Sequence, residues 1–293
     1  SDSRSGIRLK DDELEEMDRI LNEKVKKGQP LTHILSTHPD QFAVSLRSVY
    51  NYIDQGAMTI RNIDLRRRAG YKKRRKKHAS GIDNQHYREG RSYEDFKAFM
   101  DGKPSSIVTE MDTVKGPRGH GQVMLTMILR RYSIMLIFIM PDCKQESVLR
   151  WINFLEYGIG TEAFKRLFSV LLTDNGAEFK CADRIELTAE MLLRTSVYYC
   201  DPMASWQKPH IEKNHEYIRY VIPKGVSLNP FTQEHMRVLM NHINSTKRES
   251  LGGKSPYEMV RSNDTDMRDL MKLLKLEEIP ADEVNLTPSL LKF

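Results

Sequence analysis

The sequence predicts a mixed α/β sheet flanked by helices and preceded by a small all-α unit. Three observations carry that expectation. Between Ile107 and Met140 three apolar runs follow one another, separated by turn residues. Beyond them, helical and strand-like periodicities alternate as far as Arg219. Ahead of them, residues 10–56 show helical spacing alone.

The first helix rests on Leu14, Met17, Leu21 and Val25, and Gly28-Gln29-Pro30 stops it. A short helix is expected around Leu31 to Ser36. A third begins at Ser45, a good N-cap residue, and ends at Gly56. On that helix Leu46, Val49, Tyr50 and Ile53 should face a core, which leaves Arg47, Ser48, Asn51 and Gln55 on the opposite face. Such side chains suit base edges and phosphates in the major groove, so residues 1–60 read as a helix-turn-helix DNA-binding domain. A small bundle with a solvated polar face is the competing reading.

The next stretch favours DNA. Ten Lys or Arg and one Asp lie between Arg61 and His78, a local balance of +9 within a chain of +6, so the remainder stands at −3. Arg66, Arg67, Arg68, Lys72, Lys73, Arg74, Arg75, Lys76 and Lys77 have no compensating acids and fit best along phosphates. A nuclear-localisation signal is the alternative, and the adjoining helical unit favours DNA contact. Residues 61–104 are this basic segment and a linker, with a short helix at Tyr93 to Met100.

Within residues 105–262 the expected strands are Ile107–Val114, Gln122–Arg130 and Tyr132–Met140. Gly116, Gly119 and Gly121 mark the first turn, Arg130-Arg131 the second. Met124, Met127, Met135 and Met140 fill the core. An amphipathic helix through Val148, Trp151, Ile152 and Leu155 follows, then a strand from Phe168 to Asp174. A helix at Thr188–Leu193, a short strand at Ser196–Cys200 and a helix through Ile211–Arg219 complete the unit. In the tail, residues 263–293, Met267, Leu270, Leu274, Leu276 and Leu286 suggest a short amphipathic helix and a strap packed on its own domain; dimerisation through it is the alternative.

Cys143, Cys181 and Cys200 are odd in number and too widely spaced for a CxxC clip, which points to reduced thiols in a cytosolic protein. The longest apolar run, Ile134 to Met140, is far short of the roughly 20 residues a membrane span needs, and no signal peptide is visible. The chain opens on Ser1, without Met, as a trimmed chain would.

Three acids carry the chemistry: Asp112 in the first strand, Asp174 at the end of the fourth, and Glu212 in the last helix. A carboxylate beside buried strands is costly unless compensated, and three that converge suit Mg²⁺, which prefers oxygen ligands. Each has a rival. Asp142 follows Pro141 in a turn-like setting, Asp174-Asn175-Gly176 is also an ordinary turn signal, and Glu216 shares a helix face with Glu212. Trp206 and His210 precede that helix. Core packing is the default for the Trp and contact with a DNA end the alternative, while His120 reads as a turn residue.

The order of elements and acids resembles the ribonuclease-H-like core of DDE transposases and retroviral-type integrases. Met111-Asp112-Thr113-Val114-Lys115-Gly116, Thr173-Asp174-Asn175-Gly176-Ala177-Glu178-Phe179 and Ser205-Trp206-Gln207-Lys208 followed by Ile211-Glu212 are similar to a bacterial insertion-sequence transposase of the group numbered thirty. Ser48-Val49-Tyr50-Asn51-Tyr52-Ile53, Asp64-Leu65-Arg66-Arg67 and Leu251-Gly252-Gly253-Lys254-Ser255-Pro256-Tyr257-Glu258 extend the likeness over most of the chain. Members of that group usually carry a further helix-turn-helix upstream, which this sequence is expected to lack. They also often have Asn soon after the catalytic Glu, where Lys213 and then Asn214 stand here.

The resemblance implies two Mg²⁺ ions, with Mn²⁺ as a substitute, acting on an in-line phosphodiester displacement. Asp112 would bridge them, and Asp174 and Glu212 would each hold one. It further implies double-stranded DNA as partner, both terminal inverted repeats and target, a homodimer or larger assembly on DNA, and a bacterial cytoplasmic setting. A ribonuclease H-type nuclease and a catalytically silent domesticated DNA-binding protein are the alternatives.

Overall fold

The computed structural model describes residues 7, 9–42, 44–65, 86–117, 121–260 and 263–292. The basic residues from Arg66 to Lys77, and His120, lie outside them.

Three helices form the first unit: α1 (Asp11–Lys26), α2 (Leu31–Thr37) and α3 (Leu46–Asp54). The Ser45 hydroxyl accepts from Ser48 N at 3.2 Å and so begins α3 as a cap should. Met17, Leu21, Leu31, Ile34, Val49, Tyr52 and Ile53 share one small core with Met58, Ile60 and Leu65. On α3 the buried side chains are Val49, Tyr52 and Ile53, whereas Leu46 and Tyr50 are only partly covered. The core-facing stripe is therefore turned slightly from the expected one, toward Tyr52, which shares its core with Met58, Ile60 and Leu65. Arg47, Asn51 and Gln55 are exposed and Ser48 half-buried.

Residues 86–104 are more than a linker. A 3₁₀ turn (His86–Arg88) leads to α4 (Tyr93–Gly102), whose Phe96 joins Val108, Val170, Leu172, Tyr198 and Cys200 in a second apolar cluster on the sheet.

The sheet has five strands in the order β3-β2-β1-β4-β5. They are β1 (Val108–Lys115), β2 (Val123–Leu129), β3 (Ile134–Met140), β4 (Val170–Thr173) and β5 (Ser196–Tyr199). β1 and β2 run antiparallel, as do β2 and β3, while β4 lies parallel to β1 and β5 parallel to β4. With helices on its faces this is the ribonuclease-H-like arrangement. Between β3 and β5 come α5 (Gln145–Ile159), α6 (Thr161–Leu167) and α7 (Ala182–Glu186); after β5 come α8 (Pro209–Val221), α9 (Gln233–Asn244), α10 (Pro256–Met259) and α11 (Thr265–Leu273). Met124, Met127, Met135 and Met140 are fully buried, as is Met111 of β1.

The helix expected at Thr188–Leu193 is a turn. The Thr188 hydroxyl accepts from Glu190 N and Leu192 N, both at 3.2 Å, and Leu187 bridges Leu193. That hydroxyl competes for the amides a helix would need. Helix α9 lies beyond the elements expected from the sequence, although its buried Met236, Leu239, Met240 and Ile243 follow helical spacing. Its Asn244 side chain pairs with both N and O of Met135, and Gln233 pairs with Ile139 N and Ile137 O. These amides satisfy backbone groups that an edge strand would otherwise leave open.

The tail is a strap on its own chain. Met267 and Leu270 of α11, then Val284, Leu286 and Leu291, enter the main core. The same strap ties the helical unit down: Gln29 Nε2 donates to Val284 O at 2.8 Å, His33 Nε2 to Ala281 O at 2.9 Å, and Leu286 N to Lys27 O at 2.9 Å. His33 Nδ1 accepts from Lys247 N at 2.9 Å, which fixes the tautomer of this buried ring.

Among the described residues no helix is long and apolar enough to cross a membrane. All three cysteines are free thiols.

Candidate active site

Strand register brings the first two acids together. β1 and β4 pair Val108 with Val170, Thr109 with Leu171 and Glu110 with Leu172. The Thr173 hydroxyl then reaches Met111 O at 3.5 Å. The same offset, continued by one residue, sets Asp174, just past the end of β4, beside Asp112 within β1, on adjacent parallel strands about 4.8 Å apart. Asp174 Oδ1 accepts from Gly176 N at 3.0 Å, closing the turn that carries it out of the strand. A Cβ on Gly176 would lie 2.7 Å from Glu178 Oε2 and 3.0 Å from Asp174 Oδ1, so a side chain there would displace the Glu178 carboxylate.

The third acid arrives on α8. Pro209 occupies its first turn, where a missing N–H is harmless. The helix is fastened to β1 by Glu110, whose carboxylate accepts from Ile211 N at 2.7 Å and from Arg130 Nε at 2.7 Å. Arg130 also donates to Gln207 O at 3.2 Å. A carboxylate at a helix N-terminus answers both the open amides and the helix dipole.

Asp112, Asp174 and Glu212 line one cleft of about 350 Å³ together with Lys208 and Asp201. Glu212 is exposed on its first turn; Glu216, also exposed, is not in the lining. Asp142 is held in its turn by the Ser147 hydroxyl at 2.6 Å and is likewise outside the lining. Burial pushes the Asp112 carboxyl up to about 6, with Lys208 opposing and the charges of Asp174 and Glu212 adding to the rise.

Lys208 is a participant that sequence reasoning left without a role. Its ammonium is 3 % exposed, donates to Met111 O at 2.9 Å and stands 3.5 Å from Asp112 Oδ2. The available signal was a lysine inside the quoted Ser205–Lys208 motif, directly ahead of a helix-starting proline. Behind Asp112, its carbonyl accepts from the Thr126 hydroxyl at 3.0 Å, which also meets His215 Nε2 at 2.9 Å. Burial pushes that imidazole down to about 4. Trp206 departs from the core-packing default: it stands 75 % exposed. His210 is exposed as well.

The donor chemistry of the cleft suits a hard divalent cation, since three carboxylates from three elements open into it. The side chains are not drawn into a finished cage: among the described residues no group of three or more His, Cys, Asp or Glu stands ready to hold a metal. The ammonium of Lys208 is the cation beside Asp112.

The transposase for insertion sequence element IS1086 of Cupriavidus metallidurans is 29 % identical over 160 residues, which are 54 % of this chain and 44 % of that protein. The probable transposase for insertion-like sequence element IS1161 of Streptococcus salivarius is 26 % identical over 231 residues, 78 % of this chain and 62 % of the relative. Transposase InsI of IS30A from Escherichia coli K12 is 31 % identical over 90 residues, 31 % of this chain and 22 % of the relative. The chain is related to insertion-sequence transposases. It spans less than two thirds of the length of these relatives. No protein-family model matches the chain.

Proposed function

We propose that this chain carries the strand-cleaving and strand-joining chemistry of a DNA transposase, with Asp112, Asp174 and Glu212 as its catalytic acids. One observation carries the reading: in a relative of insertion-sequence transposases, three acids from β1, the end of β4 and the start of α8 open into a single cleft. The three carboxylates would hold Mg²⁺ or Mn²⁺, and the bound cation would supply activation of the attacking oxygen and stabilisation of the leaving one.

The chain's own groups prepare that site. Asp112 and Asp174 are fixed by strand register, and Glu212 by the Glu110 clamp on its helix. Lys208 offsets the charge of Asp112 until a cation and phosphate share the cleft. Water attacks the phosphodiester at the element's end and frees a 3′-hydroxyl, which then attacks a target phosphodiester. Each exchange forms one P–O bond and breaks one, so no protein nucleophile is required. The exposed face of α3, with Arg47, Ser48, Asn51 and Gln55, and the basic residues 66–77 would hold the duplex.

Labelled DNA spanning the ends of the element that encodes the chain, incubated with the protein and Mg²⁺ or Mn²⁺, tests this. Nicked and joined products are expected, and Asp174→Asn should reduce both by on the order of 10³-fold, the several kcal/mol that cation catalysis supplies. Sequence-specific binding without cleavage by the unaltered chain would identify a binding protein instead. Preferential cutting of an RNA–DNA hybrid would identify a nuclease.

A further inference from the structure

Two large apolar side chains stand in solvent beside the acidic cleft, Met203 within its lining and Trp206 next to the lining residue Ser205 along the chain. Trp206 is 75 % exposed and Met203 62 %. Both belong to the segment 201–208 between β5 and α8, and Met203 and Ser205 line the same cleft as Asp174 and Glu212.

The segment holds them there firmly. Asp201 N donates to Gln207 Oε1 at 2.7 Å, Gln207 Nε2 donates back to Asp201 Oδ2 at 2.8 Å, and Arg88 pairs with Asp201 at 3.2 Å. Ala204, Gln207 and Lys208 point inward and are buried, while the residues between them point out. Met203 adopts φ +62°, a left-handed conformation a side-chain-bearing residue seldom takes, so this backbone is fixed by its surroundings. Trp206 is two residues from Lys208, hence within about 7 Å, Cα to Cα, of the residue that touches Asp112. An indole carried outward beside a cleft by a fastened segment is a candidate contact surface.

We propose that Trp206, flanked by Met203, is a stacking platform for an unpaired nucleobase next to the phosphate that enters the cleft. The inference rests on the transposase reading above. A base is the occupant that the chemistry selects. The surface offers one flat π face and one thioether, with no hydrogen-bond pattern to read. It is also continuous with a cleft whose carboxylates repel phosphate, so grip there has to come from an uncharged contact. Stacking of this kind accepts any base, and it requires that base to leave its partner.

The chain has two tryptophans. Trp151 donates its Nε1 to Ile139 O and stacks on Phe138, leaving Trp206 as the exposed indole. The whole chain is titrated in EDTA with a blunt duplex and with the same duplex carrying three unpaired nucleotides at one end. The expected result is quenched tryptophan emission and tighter binding with the unpaired end. Trp206→Ala should weaken binding of that duplex by about 5- to 150-fold, as one base stack implies, and leave the blunt duplex unchanged. Trp206→Phe should restore part of the difference, and unchanged melting would show that both variants fold. Equal binding of the two duplexes, no binding of either, or an unaffected Trp206→Ala would overturn the proposal. So would an emission change that follows protein concentration without DNA, which would mark a contact between copies. Cleavage that Asp174→Asn abolishes, with no stacking signal, would leave the transposase reading standing and this inference fallen; a stacking signal with cleavage indifferent to Asp174→Asn would do the reverse.

Discussion

The seam between β1 and α8 has two ends that treat a carboxylate in opposite ways. At the inner end Glu110 is fully buried, yet the Arg130 guanidinium and the Ile211 amide satisfy it. At the outer end Asp112, two residues along the same face of the strand, has a lysine 3.5 Å away and two further acids in the same cleft. The first carboxylate is completed by the chain itself and holds a helix in place. The second is left short of positive charge where a ligand can enter, and that imbalance is what separates a site from a clamp.

The largest expected effect tests the inner end. Glu110→Ala strands Arg130 and opens the α8 amide, and should cost about 3–5 kcal/mol of stability in urea unfolding. A loss under about 1 kcal/mol would break the comparison.

At the outer end the sign reverses. The folded-state carboxyl of Asp112 is pushed up to about 6 from an ordinary value of 3.8, so the folded state binds its proton more tightly than the unfolded one. The resulting stability is present below pH 3.8 and lost as pH rises through 6. In EDTA, the stability of Asp112→Asn relative to the parent should therefore rise by about 2–3 kcal/mol between pH 4 and pH 7. A flat difference across that range would sink the assignment.

Lys208→Met removes the ammonium that lowers that carboxyl, and it takes from Met111 O the donor at 2.9 Å. We expect a stability loss of about 1–3 kcal/mol and an Asp112 titration, followed by carboxyl NMR, displaced above 6. A downward displacement would show that Lys208 does not offset Asp112.

Away from the seam, Asp282 pairs with Lys24 at 2.6 Å and His38 at 2.8 Å but is half exposed. Asp282→Asn should cost about 1 kcal/mol or less, as thermal melting would check. A larger loss would mean that the strap depends on this pair rather than on its buried leucines.

Much of this was legible from residue order. The three long strands, the fourth ending at Asp174, the capped α3 and the Glu212 helix all follow from local periodicity, which each segment carries within itself. Asp142 could be set aside as a turn residue for the same reason. What escaped has two causes. Thr188 diverted a helix-like stretch into a turn through local hydroxyl bonds that apolar spacing does not record. The docking of α9 on β3 through amide side chains, and of Phe96 on the sheet from an apparent linker, was set by neighbours distant in sequence.

The sequence alone determined which elements would carry the three acids, Asp112 in the first strand, Asp174 at the end of the fourth and Glu212 in the last helix, because alternation and capping are local properties of the chain. Only the tertiary structure decided how those elements meet. The parallel register of β1 and β4 set Asp174 beside Asp112, the Glu110 clamp brought Glu212 rather than Glu216 into the cleft lining, and the burial of Lys208 put a cation against Asp112. Charge compensation acts across space over a few ångströms, and spacing along the chain does not encode it.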